Sequence, residues 1–293
     1  MKHAKQRVAA VTGAGQGIGR GEALELARTG AAVVVNDVDQ AAADAVVAEI
    51  EAAGGDATTF VGDCSDHDTA GGLVQAAIDA FGQLDAVVNN AGINRDRTFL
   101  KMTVDEWQSV TRMHLDSHFS VSQHACLHFK ERGEGGRVVC TTSSAGLLGN
   151  FAQTNYGAAK AGVAAFAIIV AQEVAKYAVT CNVICPTART RMTEALAKAP
   201  VGEEFDFFAP DNVAPLVAFL CGEESGHLTG NVFGVSGDAV ELYQPFTSVA
   251  VVQNGGTRWS QAELAEKVPL LFEQTGLEPG PKDPMSARRF RLF

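Results

Sequence analysis

The chain has 293 residues, of which 46% are hydrophobic and 19% are charged, and its formal net charge is −11. This length suits one large α/β domain or two small ones, and the composition excludes disordered and collagen-like proteins. The acidic balance argues against a nucleic-acid partner, because affinity for a phosphate backbone requires clustered lysine and arginine.

Six cysteines lie in apolar or strand-like stretches, without the paired spacing of zinc sites. We therefore expect reduced core cysteines, with neither a metal site nor a disulfide. No signal-like segment precedes the first predicted strand, and no apolar run reaches the ~18 residues of a membrane span. These features predict a cytoplasmic protein without a membrane span.

Short β-branched runs alternate with alanine-rich helical stretches, a pattern typical of parallel strands joined by crossover helices. Helices are predicted between the strands, among them 17–29, which ends at Gly30, and 211–221. The pattern predicts a Rossmann-type, doubly wound seven-stranded parallel sheet with helices on both faces, in a domain over residues 1–240. The seven strands are predicted at 8–12, 32–36, 58–61, 84–89, 137–142, 179–184 and 232–235.

A C-terminal extension, 241–293, follows where this alternation stops. Ser260 and Glu263 have the spacing of a capping box, and an apolar stripe over 264–271 follows, so one helix is predicted. The end of the chain, 288–293, combines cations with aromatic residues. We expect the extension to pack on the domain or on a neighbouring subunit.

A TGxxxGxG motif lies between the first predicted strand and its helix. Such a turn lets the backbone approach a pyrophosphate, whose charge suits the helix N-terminus. The turn alone could be structural, but its strand–turn–helix context favours a dinucleotide site. The cofactor contacts expected here are Gly13, Gln16, Gly17, Ile18 and Gly19.

Asp37 closes the second strand, where its carboxylate can accept hydrogen bonds from the adenosine ribose and repel a 2′-phosphate. NAD is therefore favoured over NADP. The alternative is a loop aspartate that caps the next helix, a role that Asp39 fits at least as well. Asp63 and Cys64, after the third strand, are weaker candidates for contacts near the adenine.

Small residues end the fourth predicted strand. Asn90, Ala91 and Gly92 lie at the carboxyl edge of the sheet, where a cofactor can rest against the backbone. The segment can be both a structural turn and the surface on which the cofactor rests.

Tyr156 and Lys160 are four residues apart on a predicted helix and therefore share one face. An ammonium near a phenol favours the ionised phenol, which can then exchange a proton with an alcohol or a ketone. Ser143 ends the fifth strand and could hydrogen-bond the substrate oxygen. The three residues predict a site for proton exchange.

The glycine motif, the Asn-Asn-Ala-Gly segment, Ser143 and Tyr-x-x-x-Lys have the order and spacing of the short-chain dehydrogenase/reductase family, which residues 5–240 resemble. The resemblance implies hydride transfer between the nicotinamide C4 and a substrate carbon, with Tyr156 as general acid/base. It also implies that Ser143 holds the substrate oxygen and that Lys160 binds the nicotinamide ribose and lowers the tyrosine pKa. Pro186 and Thr187 stand where the family usually has Pro-Gly, at the nicotinamide end.

Residues 94–99, 149–156, 191–193 and 213–217 resemble the (3R)-hydroxyacyl-CoA dehydrogenase domain of the peroxisomal multifunctional enzyme and its bacterial stand-alone relatives. This likeness implies an NAD-dependent homodimer or homotetramer that oxidises 3-hydroxyacyl-CoA thioesters, including sterol-derived ones. Two alternatives remain: a dehydrogenase of free hydroxysteroids or other secondary alcohols, and a non-catalytic NAD-binding protein. The intact serine, tyrosine and lysine weigh against the second.

Two sets of residues stay ambiguous in the sequence. His114 stands where the family usually carries a catalytic asparagine, so its imidazole either holds a relay water or is structural. Arg95 and Arg97 are candidate partners for the phosphates of CoA. The alternative is that they are surface arginines paired with nearby aspartates. Residues 191–211 occupy the position of the family's substrate lid.

Overall fold

An eight-stranded sheet forms the centre of the computed structural model, which describes residues 6–193, 205–244, 246–277 and 279–280. The strands are β1 Val8–Val11, β2 Ala32–Asp37, β3 Ala57–Val61, β4 Ala86–Asn89, β5 Gly136–Thr141, β6 Val179–Pro186, β7 Val232–Ser236 and β8 Ala239–Tyr243. Their order in the sheet is β3-β2-β1-β4-β5-β6-β7-β8. Neighbouring strands are parallel from β3 to β7, and β8 is antiparallel to β7.

The predicted fold is confirmed, with one correction to its strand count. All seven predicted parallel strands are present, but β8 was missed. A two-residue turn at Gly237 and Asp238, with Gly237 at φ +55°, reverses the chain and adds β8 to the edge of the sheet. Edge strands bury little side-chain surface, so β8 lacks the apolar run that marks the others. The domain boundary expected at residue 240 therefore falls inside a strand.

Helices cover both faces of the sheet. Successive strand residues point to opposite faces, so Val8 and Ala10 join one core while Ala9 and Val11 join the other. The helices are α1 Gly17–Arg28, α2 Gln40–Ala52, α3 His67–Phe81, α4 Val104–Thr111, α5 Ser117–Arg132, α6 Ser144–Leu147, α7 Thr154–Val174, α8 Ala214–Cys221 and α9 Gln261–Thr275. The first core is completed by α3, α5 and α7, and the second by α1, α2 and α8.

Helix α7 has the length and composition of a membrane span, as the core helices of soluble proteins can also have. With the short turn after it, α7 forms a 24-residue helix, Thr154–Tyr177, whose mean hydropathy of 1.5 is high enough to cross a membrane. One face of this helix packs against the sheet through Val163, Ala167 and Ala171, and Lys160 is buried on it. The helix thus contributes to the core through one face, and its further apolar residues lie on the other face.

Three further expectations have different outcomes. The six cysteines are free in the structure, and five of them are buried. Helix α9 is present with its capping box, and none of its residues in Gln261–Thr275 is buried. The cation–aromatic end at 288–293 and the lid residues 194–204 lie outside the described residues.

Candidate active site

The glycine turn after β1 has a backbone that other residues could not easily adopt. Gly13 and Gly17 have φ values of +62° and +56°, in the left-handed region that favours glycine. A Cβ on Gly13 would lie 2.9 Å from Ala91 Cα, and one on Gly19 would collide with the Gly13 carbonyl and the Asn90 side chain. The turn is therefore as close to the end of β4 as glycine allows.

Thr12 fixes this turn to β4, a role that the sequence did not predict. Its hydroxyl oxygen accepts hydrogen bonds from the backbone N–H groups of Asn90 and Ala91, at 3.0 and 3.1 Å. The Asn90 side-chain amide in turn donates to the carbonyls of Thr12 and Gly13. The only sequence signal was the position of Thr12 at the start of the glycine motif.

A cavity of about 360 Å³, called the cofactor cavity below, opens above this turn at the carboxyl edge of the sheet. It brings together every predicted cofactor residue of the first half of the chain except Gly19, which is not among its lining residues. Met113 and residues 190–192 also line it and were not predicted. The predicted residues that line it are Gly13, Gln16, Gly17, Ile18, Asp37, Asp63, Cys64, Asn90, Ala91 and Gly92.

Asp37 holds the glycine turn as well as facing the cofactor cavity. One carboxylate oxygen accepts from the backbone N–H of Gly15 at 3.0 Å, and the other accepts from that of Asp39 at 3.1 Å. Asp39 caps α2 through the N–H groups of Ala41 and Ala42, so the capping role is its own. The Asp37 carboxylate remains available to further donors, because each oxygen has a second lone pair.

A second cavity of about 220 Å³, the reaction cavity, adjoins the first and shares five lining residues with it: Ile18, Asn90, Gly92, Thr190 and Met192. It contains all the predicted catalytic residues and both residues predicted at the nicotinamide end. Ser143 follows β5 and caps the short helix α6, whereas Tyr156 and Lys160 lie on the first turns of α7. The residues concerned are His114, Ser143, Tyr156, Lys160, Pro186 and Thr187.

The electrostatics of the tyrosine–lysine pair differ from the expectation. Burial raises the pKa of Tyr156 to about 12, and a hydrogen bond from the Ser143 hydroxyl acts in the opposite direction. Burial likewise lowers the pKa of Lys160 to about 7. The Lys160 Nζ lies 5.8 Å from the centre of the tyrosine ring and donates to the Thr141 carbonyl at 2.6 Å. The Tyr156 pKa is thus raised by desolvation, in place of the lowering by Lys160 that the sequence predicted.

Asn155, which was not predicted as a site residue, supports the wall of the reaction cavity. It is fully buried, and its amide donates to the carbonyls of Arg95 and Glu106 at 3.0 and 2.9 Å. Its side-chain oxygen accepts from the backbone N–H of Tyr156 at 2.8 Å. Asn155 therefore ties the segment after β4 to the start of α7. Its position directly before the tyrosine was the available signal.

The two arginines proposed for CoA lie outside the residues that line either cavity. Arg97 forms an ion pair with Glu106, with its Nη2 2.7 Å from the carboxylate, and is half exposed. Arg95 is exposed and contacts the carbonyl of Asn94. The pairing alternative thus describes Arg97, although the partner is Glu106 and not an aspartate. A CoA phosphate at Arg97 would have to compete with this carboxylate, and both contacts stay predictions.

Comparisons with known proteins agree with this geometry. A family model described as short chain dehydrogenase matches residues 7–200. The chain is 43% identical to the hydroxyacyl-CoA dehydrogenase ChsB1 of Mycobacterium tuberculosis, over 88% of this chain and 86% of that protein. It is 39% identical to the peroxisomal multifunctional enzyme A of Dictyostelium discoideum over 88% of this chain, but spans only 60% of that enzyme. The crystal structure of a short chain dehydrogenase from Mycobacterium avium has a TM-score of 0.83 and 41% identity, covering 94% of this chain and 96% of that one.

Proposed function

The chain belongs to the short-chain dehydrogenase family of oxidoreductases acting on CH–OH groups, and we propose that it oxidises (3R)-hydroxyacyl-CoA to 3-oxoacyl-CoA with NAD. The main observation in support of the proposal is that the cofactor cavity adjoins the reaction cavity. Ser143, Tyr156 and Lys160 lie in one, and the glycine turn lines the other. This arrangement places a phenol that can exchange a proton beside a cavity that suits a dinucleotide.

The residues fit a dinucleotide on structural grounds. Gly13 and Gly17, in the left-handed backbone of the turn, line the cofactor cavity without side chains, so a pyrophosphate could approach the backbone there. A bound nicotinamide cofactor would supply the hydride acceptor and, when oxidised, a positive charge near the phenol. The Ser143 hydroxyl would hold the substrate oxygen while Tyr156 takes the hydroxyl proton, so that a C=O bond forms. Lys160, four residues along the same helix, would favour the ionised phenol when it is protonated.

The choice of NAD rests on Asp37. Its carboxylate faces the cofactor cavity between β2 and the glycine turn, where a ribose 2′-phosphate would meet like charge. Asn36 and Val38 flank it, so no cation stands next to the carboxylate in the chain. Arg191 also lines the cavity, between Thr190 and Met192, which line the reaction cavity as well.

The acyl-CoA substrate is supported by the names of the relatives. One similar protein is a hydroxyacyl-CoA dehydrogenase, and others are peroxisomal multifunctional enzymes, in agreement with the resemblance of the loops around the reaction cavity. A free hydroxysteroid or another secondary alcohol is the alternative substrate. A non-catalytic NAD-binding role is disfavoured, since Ser143, Tyr156 and Lys160 all line the reaction cavity.

We expect the protein to act as a homodimer or homotetramer in the cytoplasm. The outer faces of α5 and α7 form an apolar groove of about 540 Å³. Three apolar residues in or near this groove are partly exposed: Phe119 by 45%, Leu127 by 49% and Ile169 by 54%. Exposed apolar patches of this kind mark association sites. Helix α9 also exposes its apolar stripe, which would suit packing against the domain or a neighbouring subunit.

The test is NADH formation with matched thioesters and alcohols. We expect turnover of 3R-hydroxyacyl-CoA, weak turnover of the 3S isomers and of free steroid alcohols, and a preference for NAD over NADP. Tyr156→Phe should lower kcat by about 10²–10⁴-fold, the usual contribution of a general acid/base. The matched control Tyr177→Phe, at a tyrosine outside both cavities, should retain activity. Turnover of free alcohols alone would remove the CoA assignment, and an active Tyr156→Phe variant would remove the mechanism.

A further inference from the structure

His114 lies in the wall between the two cavities. Its imidazole is 1% exposed and belongs to a π-helical turn, Arg112–Asp116. Nε2 lies 2.9 Å from the carbonyl oxygen and 3.3 Å from the amide nitrogen of Ile93. Ile93 lines the cofactor cavity, whereas His114 lines the reaction cavity. This contact thus joins a backbone group that lines the cofactor cavity to a side chain that lines the reaction cavity.

The two contacts at Nε2 require opposite protonation of that nitrogen. A protonated Nε2 donates to the Ile93 carbonyl, whereas an unprotonated Nε2 accepts from the Ile93 N–H. The first is favoured, because the contact with oxygen is the shorter one and two facing lone pairs at that distance would repel. Nδ1 is then unprotonated, and it is buried without a hydrogen-bond partner among the described residues.

The surroundings keep the ring neutral. Burial and the neighbouring positive charge of Lys160 hold the pKa of His114 well below its ordinary value of 6.5. A ring that gains and releases a proton during turnover would have to become positively charged next to that ammonium. Neutral His114 instead offers one fixed donor, Nε2–H.

Packing also holds the ring in place. Its edge contacts the ring of Tyr156, with 5.2 Å between the centres and 79° between the planes. On the other side, a Cβ on Gly92 would collide with Cε1 of His114. The imidazole is therefore held between the backbone of Gly92 and the catalytic phenol, with little space in which to rotate.

We propose that His114 is a positioning residue: its Nε2–H holds the Ile93 carbonyl and so fixes the segment from Asn90 to Ile93 beside Tyr156. It does not relay a proton. The proposal rests on the proposed function only in that a nicotinamide cofactor binds in the cavity that Ile93 lines. An asparagine amide could supply the same donor to Ile93, whereas a phenylalanine ring could fill the space without donating.

That difference sets the experiment. His114→Asn and His114→Phe are compared with the unchanged protein in three measurements: NAD affinity from titration of intrinsic fluorescence, kcat and KM across pH, and the histidine tautomer from nitrogen NMR shifts. His128→Asn is the control, since His128 contacts the backbone of Leu84 and lines neither cavity. Thermal unfolding shows that each variant is folded.

We expect His114→Phe to weaken NAD binding about tenfold, the effect of losing one buried hydrogen bond. The NAD dissociation constant of His114→Asn should lie within about threefold of that of the unchanged protein, because the asparagine amide restores the hydrogen bond. This variant should also keep the pH profile of kcat/KM. The NMR shifts should show a neutral ring protonated at Nε2.

Three results would overturn the inference: unchanged NAD affinity in His114→Phe, an Nδ1-protonated ring, or loss of turnover in His114→Asn as severe as in His114→Phe. The last result would assign His114 to proton transfer. If no acyl-CoA is turned over, the proposed substrate fails, but NAD affinity and the tautomer still decide the role of His114.

Discussion

The Lys160 ammonium donates a 2.6 Å hydrogen bond to the backbone carbonyl of Thr141, the last residue of β5. The backbone carbonyl of Lys160 accepts in turn from the Thr142 hydroxyl at 2.5 Å. These two bonds join the start of α7 to the end of β5, immediately before Ser143. The distance between the serine and the tyrosine is therefore set by contacts of the lysine as well as by the fold.

Lys160→Met should separate the activity of this lysine from its effect on stability. We expect kcat to fall by about 10²-fold or more, because the phenol loses its neighbouring cation. The folded protein should be no less stable near neutral pH, since burial lowers the Lys160 pKa from 10.5 to about 7 and a buried methionine carries no such penalty. Lys176→Met, at a lysine stacked on Tyr177, is the control for both measurements.

The pH dependence of that stability difference has a definite sign. Between about pH 7 and 10.5 the unfolded chain holds one more proton on Lys160 than the folded chain does. The free energy of unfolding of the unchanged protein therefore rises with pH across this window, relative to Lys160→Met. A stability difference that is constant with pH would contradict the buried, weakly basic lysine.

Asp37→Ser should alter the choice of cofactor. The serine removes the like charge that a 2′-phosphate would meet, so KM for NADP should fall and KM for NAD should rise, each by about tenfold. Asp39→Ala is the control, because it removes the cap of α2 at a cost of about 1 kcal/mol without touching the cavity-facing carboxylate. Steady-state kinetics with both cofactors would measure the ratio. If the ratio does not change in Asp37→Ser, Asp37 only supports the glycine turn.

The sequence predicted the residues of this site better than their energetics. Periodicity and turn chemistry placed the seven parallel strands, and motif spacing was enough for the family, because both are local properties of the chain. Thr12 and Asn155 escaped notice since their hydrogen bonds join segments far apart in sequence. The pKa of Tyr156 was misjudged because spacing on a helix shows which charge is near but not how deeply the pair is buried.

Glu22 should limit the stability of the protein. It is fully buried on α1, and neither carboxylate oxygen has a hydrogen-bond partner among the described residues. Burial raises its pKa from 4.5 to about 8. Below 4.5 the carboxyl is protonated in both folded and unfolded chains, so it adds no pH-dependent cost. As pH rises from 4.5 to about 8 only the unfolded chain ionises, and the protein loses stability across that window.

Glu22→Leu should therefore raise the unfolding temperature at neutral pH and flatten the decline of stability between pH 4.5 and about 8. The gain should be about 2–4 kcal/mol near pH 8, of the order expected when a buried unpaired polar group is replaced by an apolar one. Glu25→Leu, on the same helix, removes a partly buried carboxylate that already pairs with Arg28, so it should bring no comparable gain. Thermal unfolding over a pH series measures both variants. A less stable Glu22→Leu variant would mean that Glu22 has a partner in solution.

Asn155→Ala should affect the acyl substrate more than the cofactor. The substitution leaves the carbonyls of Arg95 and Glu106 without their buried donor, so the segment after β4 should loosen beside the reaction cavity. We expect KM for the acyl-CoA to rise about tenfold and stability to fall by about 1–3 kcal/mol, with NAD affinity nearly unchanged. Asn182→Ala is the matched control, since Asn182 is equally buried and donates to Leu228, outside both cavities. Both variants should lose stability, but only Asn155→Ala should change KM. Equal kinetics in the two would show that Asn155 serves the fold and not the site.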